Sequence, residues 1–250
     1  MRRWSGRMDT YWLEQTEADL PAHDDWLSPN EAALLGRMRF AKRRGDWRLG
    51  RWTAKRAAAA YLELPSEPQA LQEIEVRPAP SGAPELYVSN RPAALTISLS
   101  HRTGVAACAI AMDDVALGCD LELVEPRAAA FVADYFTGEE QTLIASEPDE
   151  DRVRLVTLLW SAKESALKAL REGLRVDTRS LAVTLPDHGP APAALRQCSG
   201  VEAWRPLQVC YREGEIFQGW WQSTGQLVRT LVAAPSPLPP LFLDCALSAR

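Results

Sequence analysis

Hydrophobic periodicity divides this chain into helices and strands. Between Asp151 and Glu172 no Gly or Pro intervenes, and Leu155, Leu159, Ala162, Ala166 and Leu170 recur at steps of three or four, which predicts a long helix. Trp160, Glu164 and Lys168 lie one turn apart on another row of it. Asp46 to Leu62, with the run Ala57-Ala58-Ala59-Ala60, predicts a second long helix. Shorter helices open at Ser28-Pro29-Asn30-Glu31 and Thr137-Gly138-Glu139-Glu140, each with a hydroxyl N-cap and a carboxylate three residues on. Strand patterns cover Thr10–Leu13, Leu71–Val76, Leu95–Ser100, Val105–Met112 and Val115–Glu122. Further strands are expected at Leu181–Leu185, Val201–Arg205, Gln208–Arg212, Gln218–Gln222 and Gln226–Ala233.

Punctuation between these elements completes the outline. His101-Arg102-Thr103-Gly104 reads as a turn, Gly173 as the stop of the long helix, and Asp187–Ala194 as a Pro/Gly-rich loop. Pro235–Pro240 reads as an extended surface segment. Glu125-Pro126-Arg127 marks a boundary, so residues 1–124 and 125–250 are expected as two halves. Both run from helices into strands, an α+β pattern consistent with two similarly built halves, although no sequence repeat is evident.

Composition narrows the class. The chain has 250 residues, 46% hydrophobic and 24% charged, enough for a sizeable core. A net charge of -5 argues against nucleic acid as partner, so any anion site must be a local basic patch. No apolar run approaches a membrane span, and no apolar stretch follows the basic Met1–Arg7 segment, so neither a membrane nor a signal peptide is expected. Five scattered cysteines without a CxxC pair suggest free thiols in a reducing cytoplasm.

Three clusters carry candidate chemistry. Arg44, Arg48, Arg51 and Lys55 form a positive stripe along one helix, either a solvated face or a phosphate site. Asp120 and Glu122 project from one face of a strand, where mutual repulsion is tolerable if both are solvated or if a cation such as Mg²⁺ lies between them. Glu164 above Lys168 is either a surface ion pair or part of a site.

Leu117-Gly118-Cys119-Asp120-Leu121-Glu122, then Trp160-Ser161-Ala162-Lys163-Glu164-Ser165-Ala166-Leu167-Lys168, preceded by Leu99-Ser100-His101, resembles the 4′-phosphopantetheinyl transferases, specifically the larger pseudodimeric class. Phe40, Arg44, Trp47, Arg51 and Lys55 resemble the family's N-terminal signature, and Gly173-Leu174 its usual Gly-Leu. The resemblance spans about Phe40 to about Leu185 and implies a pseudo-twofold arrangement of the two halves. The implied activity is Mg²⁺-dependent transfer of phosphopantetheine from coenzyme A to a serine of an apo acyl, polyketide or peptidyl carrier protein, releasing 3′,5′-ADP. Asp120, Glu122 and Glu164 match the metal ligands, and Lys168 the phosphate-contacting lysine. Ser100 and His101 match the pair near the 3′-phosphate, and Arg51 and Lys55 match further coenzyme A positions. Glu164, Lys168 and Asp120 are thus the expected catalytic residues, with Glu164 or a metal-bound water as base. The expected state is a monomer, since one polypeptide supplies both halves.

One departure stands out. Where many members carry Gly-Lys-Pro, this chain has Gly82-Ala83-Pro84; Arg102 or Arg91 are the basic residues nearby. The alternative reading is a coenzyme A binding or regulatory protein of the same fold without turnover. An unrelated Mg²⁺ phosphotransferase would need a Gly-rich phosphate loop, which this sequence lacks. Phe131, Tyr135 and Phe136 are either core aromatics or part of a carrier surface.

Overall fold

The computed structural model describes residues 8–186 and 203–243, with the side chain of residue 174 set aside. The chain divides into two compact units. An N-terminal unit takes Thr10–Val115 with Leu241–Arg250, and a C-terminal unit takes Ala116–Pro240 with Met1–Asp9. The expected boundary after residue 124 moves to between Val115 and Ala116. The cause is pairing: the strand Ala116–Leu123 finds its ladder partner in the C-terminal unit, at Leu227–Ala234.

The N-terminal unit runs β1 (Tyr11–Thr16), α1 (Pro29–Arg37), α2 (Ala41–Tyr61), α3 (Pro68–Leu71), β2 (Ile74–Pro78), β3 (Pro84–Val88), β4 (Arg91–Pro92), β5 (Leu95–Arg102) and β6 (Val105–Met112). The C-terminal unit runs β7 (Ala116–Leu123), α4 (Ala129–Tyr135), α5 (Gly138–Ser146), α6 (Asp149–Leu170), β8 (Leu181–Thr184), β9 (Arg205–Tyr211), β10 (Ile216–Thr224) and β11 (Leu227–Ala234). β12 (Leu241–Phe242) returns to the first unit and pairs in parallel with β1. The first unit holds a sheet ordered β12-β1-β6-β5 and a smaller sheet β2-β3-β4; the second holds a sheet ordered β7-β11-β10-β9-β8. The expected α+β class is what these elements form.

Several local expectations shift. The strands expected at Val201–Arg205 and Gln208–Arg212 give way to one strand, β9, as far as the described residues show; Val201 and Glu202 lie outside them. The loop expected at Asp187–Ala194 also lies outside the described residues. His101 belongs to β5, and the turn is made by Thr103 and Gly104, both at positive φ. The long helix ends at Leu170 because Arg171 adopts the left-handed conformation (φ 59°), ahead of Gly173. The Pro235–Pro240 segment does not simply lie on the surface, since Pro237 and Pro240 are buried.

Each unit packs one long helix on its main sheet. α2 buries Leu49, Trp52, Ala54 and Ala57–Ala59 with Leu13, Ile97, Cys108 and Ile110. The alanine run lets backbone approach backbone where larger side chains would hold them apart. α6 buries Leu155, Leu158, Leu159, Ala162 and Ala166 with Val209, Phe217, Trp221 and Val228.

A repeat that the sequence hides is visible in the two cores. In the N-terminal unit, Ser28 and Glu31 form a capping box at α1. Glu31 Oε2 accepts a bond from Lys55 Nζ at 2.5 Å, and Glu31 Oε1 accepts from the Val76 amide at 3.1 Å. Lys55 Nζ also donates to the carbonyls of Trp26 and Leu71, at 2.9 and 3.1 Å. In the C-terminal unit, Thr137 and Glu140 form a capping box at α5. Glu140 Oε2 accepts from Lys163 Nζ at 2.8 Å, and Oε1 accepts from the Val183 amide at 2.9 Å. Lys163 Nζ also donates to the carbonyls of Thr178 and Leu181, at 2.8 and 2.7 Å. Both lysine side chains are fully buried. Burial lowers the proton affinity of each ammonium, and the facing glutamate opposes that. With three acceptors for three N–H donors, each buried charge is satisfied as well as paired.

Candidate active site

The site is built on β7 and α6 of the C-terminal unit. Gly118 brings the two together. A Cβ at residue 118 would stand 1.8 Å from the Ser165 carbonyl oxygen and 2.8 Å from the Ala169 amide nitrogen. Strand and helix therefore touch backbone to backbone, which only glycine permits. Two residues further along β7, Asp120 then projects toward the side chains of α6.

Asp120 is 5% exposed and held on both oxygens. Oδ1 accepts from Lys168 Nζ at 2.9 Å, and Oδ2 accepts from Ser161 Oγ at 2.9 Å. Lys168 Nζ donates also to the Cys119 carbonyl at 2.9 Å. Burial alone would lower the Lys168 proton affinity; the Asp120 carboxylate and, less strongly, Glu164 reverse this and hold it above the ordinary value. The lysine is therefore a fixed cation at neutral pH.

Glu122 lies two residues on from Asp120, half-buried, and accepts from Arg127 Nη2 at 3.2 Å. Glu164 is half-buried on α6. Burial first, then the Asp120 carboxylate and to a smaller degree that of Glu122, push the Glu164 carboxyl above its ordinary range, with Lys168 opposing. The three acids expected as a cluster thus sense one another. Among the described residues, however, no three acid, cysteine or histidine side chains are gathered closely enough to hold an ion. The charge pattern nevertheless fits a hard divalent cation: two of the acids make the ionised form of the third unfavourable, a situation a cation would relieve.

The basic stripe of α2 is for the most part paired internally. Arg48 pairs with Asp24 at 2.7 Å and bonds the Pro21 carbonyl at 2.8 Å. Arg44 donates to the carbonyls of Leu35 and Met38. Lys55, expected at coenzyme A, is consumed by Glu31 and two carbonyls and has no exposed surface. Arg51 stands 3.9 Å from Glu31 and lies over the Trp47 ring at 4.9 Å, with 16% of its side chain exposed. Helical spacing identified the row; long-range packing used most of it internally. Ser100 is buried and His101 exposed, both at the end of β5. Phe136 is core, whereas Tyr135 and Phe131 form an edge-packed cluster with Trp160, and Tyr135 remains 37% exposed.

Sequence reasoning did not single out Ser161, Thr230 or Arg127 as site residues. Ser161 lay inside the recognised motif. Arg127 reads only as a boundary, and Thr230 is a lone hydroxyl in a mostly apolar strand, a weak signal.

Comparisons with known proteins converge on one family. A family model for the 4′-phosphopantetheinyl transferase superfamily matches residues 116–211, the stretch that carries Asp120, Glu122, Glu164 and Lys168. The chain is 29% identical over 201 residues to the 4′-phosphopantetheinyl transferase HetI of Nostoc sp., covering 79% of each chain. It is 29% identical over 85 residues to the 4′-phosphopantetheinyl transferase psf-1 of Bacillus pumilus, covering 34% of this chain and 36% of that one. A Helicobacter pylori holo-[acyl-carrier-protein] synthase, solved with coenzyme A, aligns over 42% of this chain and 99% of its own, at 18% identity and a TM-score of 0.33. Over residues 116–211 the chain is therefore similar to the 4′-phosphopantetheinyl transferase superfamily, and over 201 residues to one of its curated members. None of the described helices is long and apolar enough to cross a membrane.

Proposed function

We propose that this protein transfers the 4′-phosphopantetheine group from coenzyme A to a serine hydroxyl of an apo carrier protein. The observation that carries the reading is the meeting of Asp120 with Lys168, at 2.9 Å, beside an electrostatically coupled Glu164. The serine oxygen of the carrier forms a bond to the phosphorus next to pantetheine. The bond from that phosphorus to the leaving oxygen of 3′,5′-ADP breaks. The barrier lies mainly in charge and alignment, so fixed cations and a proton acceptor are the protein's contribution.

Asp120, Glu122 and Glu164 are the residues that would hold Mg²⁺, which when bound neutralises pyrophosphate charge. Lys168 presents an N–H donor to a phosphate oxygen, its charge secured by Asp120. Glu164, or a water beside it, would take the serine proton. Ser100, His101 and Arg51 are proposed as contacts to the adenosine end of coenzyme A; Lys55 is withdrawn from that set.

The test is labelling of apo acyl, polyketide and peptidyl carrier domains with fluorescent coenzyme A, first with Mg²⁺ and then with chelator. Labelled carrier and equimolar 3′,5′-ADP are expected with Mg²⁺ alone. Thermal protection by coenzyme A without any labelled carrier would overturn the assignment in favour of a binder.

A further inference from the structure

The hydroxyls behind Asp120 form a chain with a fixed direction. Ser161, Ser165 and Thr230 are all buried to 1% exposure or less. Ser161 Oγ donates to Asp120 Oδ2 at 2.9 Å. A hydroxyl has one proton, so at the 2.9 Å contact between Ser161 Oγ and Thr230 Oγ1 the donor must be Thr230. Thr230 is then spent as a donor, and at its 2.7 Å contact with Ser165 Oγ the donor must be Ser165. The 3.3 Å approach of Ser165 Oγ to the Thr230 carbonyl lets the same proton be shared with the backbone. Every proton in the series thus points toward the Asp120 carboxylate.

We infer that Thr230 is a positioning residue for this reaction, acting through Ser161 to fix the plane of the Asp120 carboxylate. The inference rests on the proposed transferase reading for its consequence, but its geometry stands independently. Thr230 is directly opposite Asp120 in the β7–β11 ladder, so the same strand pairing that places the acid also places its support. Lys168 grips Oδ1 while the hydroxyl chain grips Oδ2. The carboxylate is thereby held from two sides, which spares ordering when a cation is bound. Hydrogen bonds linked in one direction polarise one another, so removing the middle member weakens the last.

The experiment is a titration of Mn²⁺ followed by electron paramagnetic resonance, with coenzyme A present, on the full chain and its variants. Thr230→Val keeps the shape and loses the hydroxyl; it is expected to weaken Mn²⁺ binding by about three- to tenfold, the scale of one lost hydrogen bond between neutral groups. Thr230→Ser is expected to restore wild-type binding. Ser161→Ala is expected to weaken it at least as much, and Thr230→Val added to Ser161→Ala is expected to add nothing, because the two act in series. Equal Mn²⁺ constants for wild type and Thr230→Val, no rescue by Ser, or multiplicative effects would each overturn the inference. If Thr230→Val does not fold, wild-type binding by Thr230→Ser together with weakened binding by Ser161→Ala supports the relay, and unchanged binding by Ser161→Ala overturns it. A wild-type protein that labels no carrier, while its Mn²⁺ constants still separate from those of the variants, would sink the transferase reading and leave the relay standing.

Discussion

Gly118 of β7 lies against the Ser165 carbonyl of α6 so closely that a Cβ would stand 1.8 Å from its oxygen. Strand and helix each bring half of the site, and this contact sets their separation. Gly118→Ala is expected to push β7 off α6, at a cost of about 1–3 kcal/mol typical of overpacking. Labelling should fall by more than the folded fraction falls. Urea unfolding beside labelling rate checks this, and a variant with wild-type turnover would show that the close approach is dispensable.

Glu164 gives a pH signature. Its folded-state proton affinity is raised, chiefly by burial and then by Asp120. The folded protein therefore binds that proton more tightly than the unfolded chain does. The associated stability is complete below the ordinary carboxyl value of 4.5 and is lost as pH rises through the higher folded value. In chelator, Glu164→Gln should melt above wild type at pH 8, with the gap closing near pH 4. Added Mg²⁺ and coenzyme A should raise the wild-type melting temperature and leave the Gln variant nearly unchanged. A gap independent of pH would remove the electrostatic account.

Lys168 and Asp120 can be separated in function from the core. The Lys168 side chain is 29% exposed but its partner Asp120 is buried, so Lys168→Met, which leaves that carboxylate its Ser161 bond, should cost about 1–3 kcal/mol. Its labelling rate should drop by roughly 10²-fold or more, the scale for a donor aimed at developing charge. Circular dichroism melts and steady-state labelling decide this; a drop in both in proportion would mark Lys168 as structural.

The buried pairs should behave in the opposite way. Lys163→Met strands Glu140 without its ion-pair partner and is expected to cost about 3–5 kcal/mol. Glu140→Gln combined with Lys163→Met should cost less than the sum of the single changes. Lys55→Met should resemble Lys163→Met in stability, while the folded fraction keeps its KM for coenzyme A. A raised KM in that folded fraction would return Lys55 to the ligand set.

Much of the fold was legible along the chain. The capping boxes at Ser28 and Thr137 were readable because a cap is local, closed within one turn. α6 was readable because its apolar row recurs without interruption. The repeat was not, since it consists of a cap glutamate meeting a lysine on a later helix and two carbonyls on other segments. No window of sequence contains that arrangement. The unit boundary was misplaced for a related reason: β7 is adjacent in sequence to β6 but pairs with β11.

What the sequence by itself determined was the identity and order of the acids on β7 and α6, and the elements that carry them. What the tertiary structure decided was which charges remain available. Lys55, Lys163 and Lys168 are the same residue type on similar helices. Two are consumed by internal carbonyls and a glutamate, and the third faces Asp120 with part of its surface exposed. An ammonium's role follows from the acceptors that surround it, and those come from distant parts of the chain.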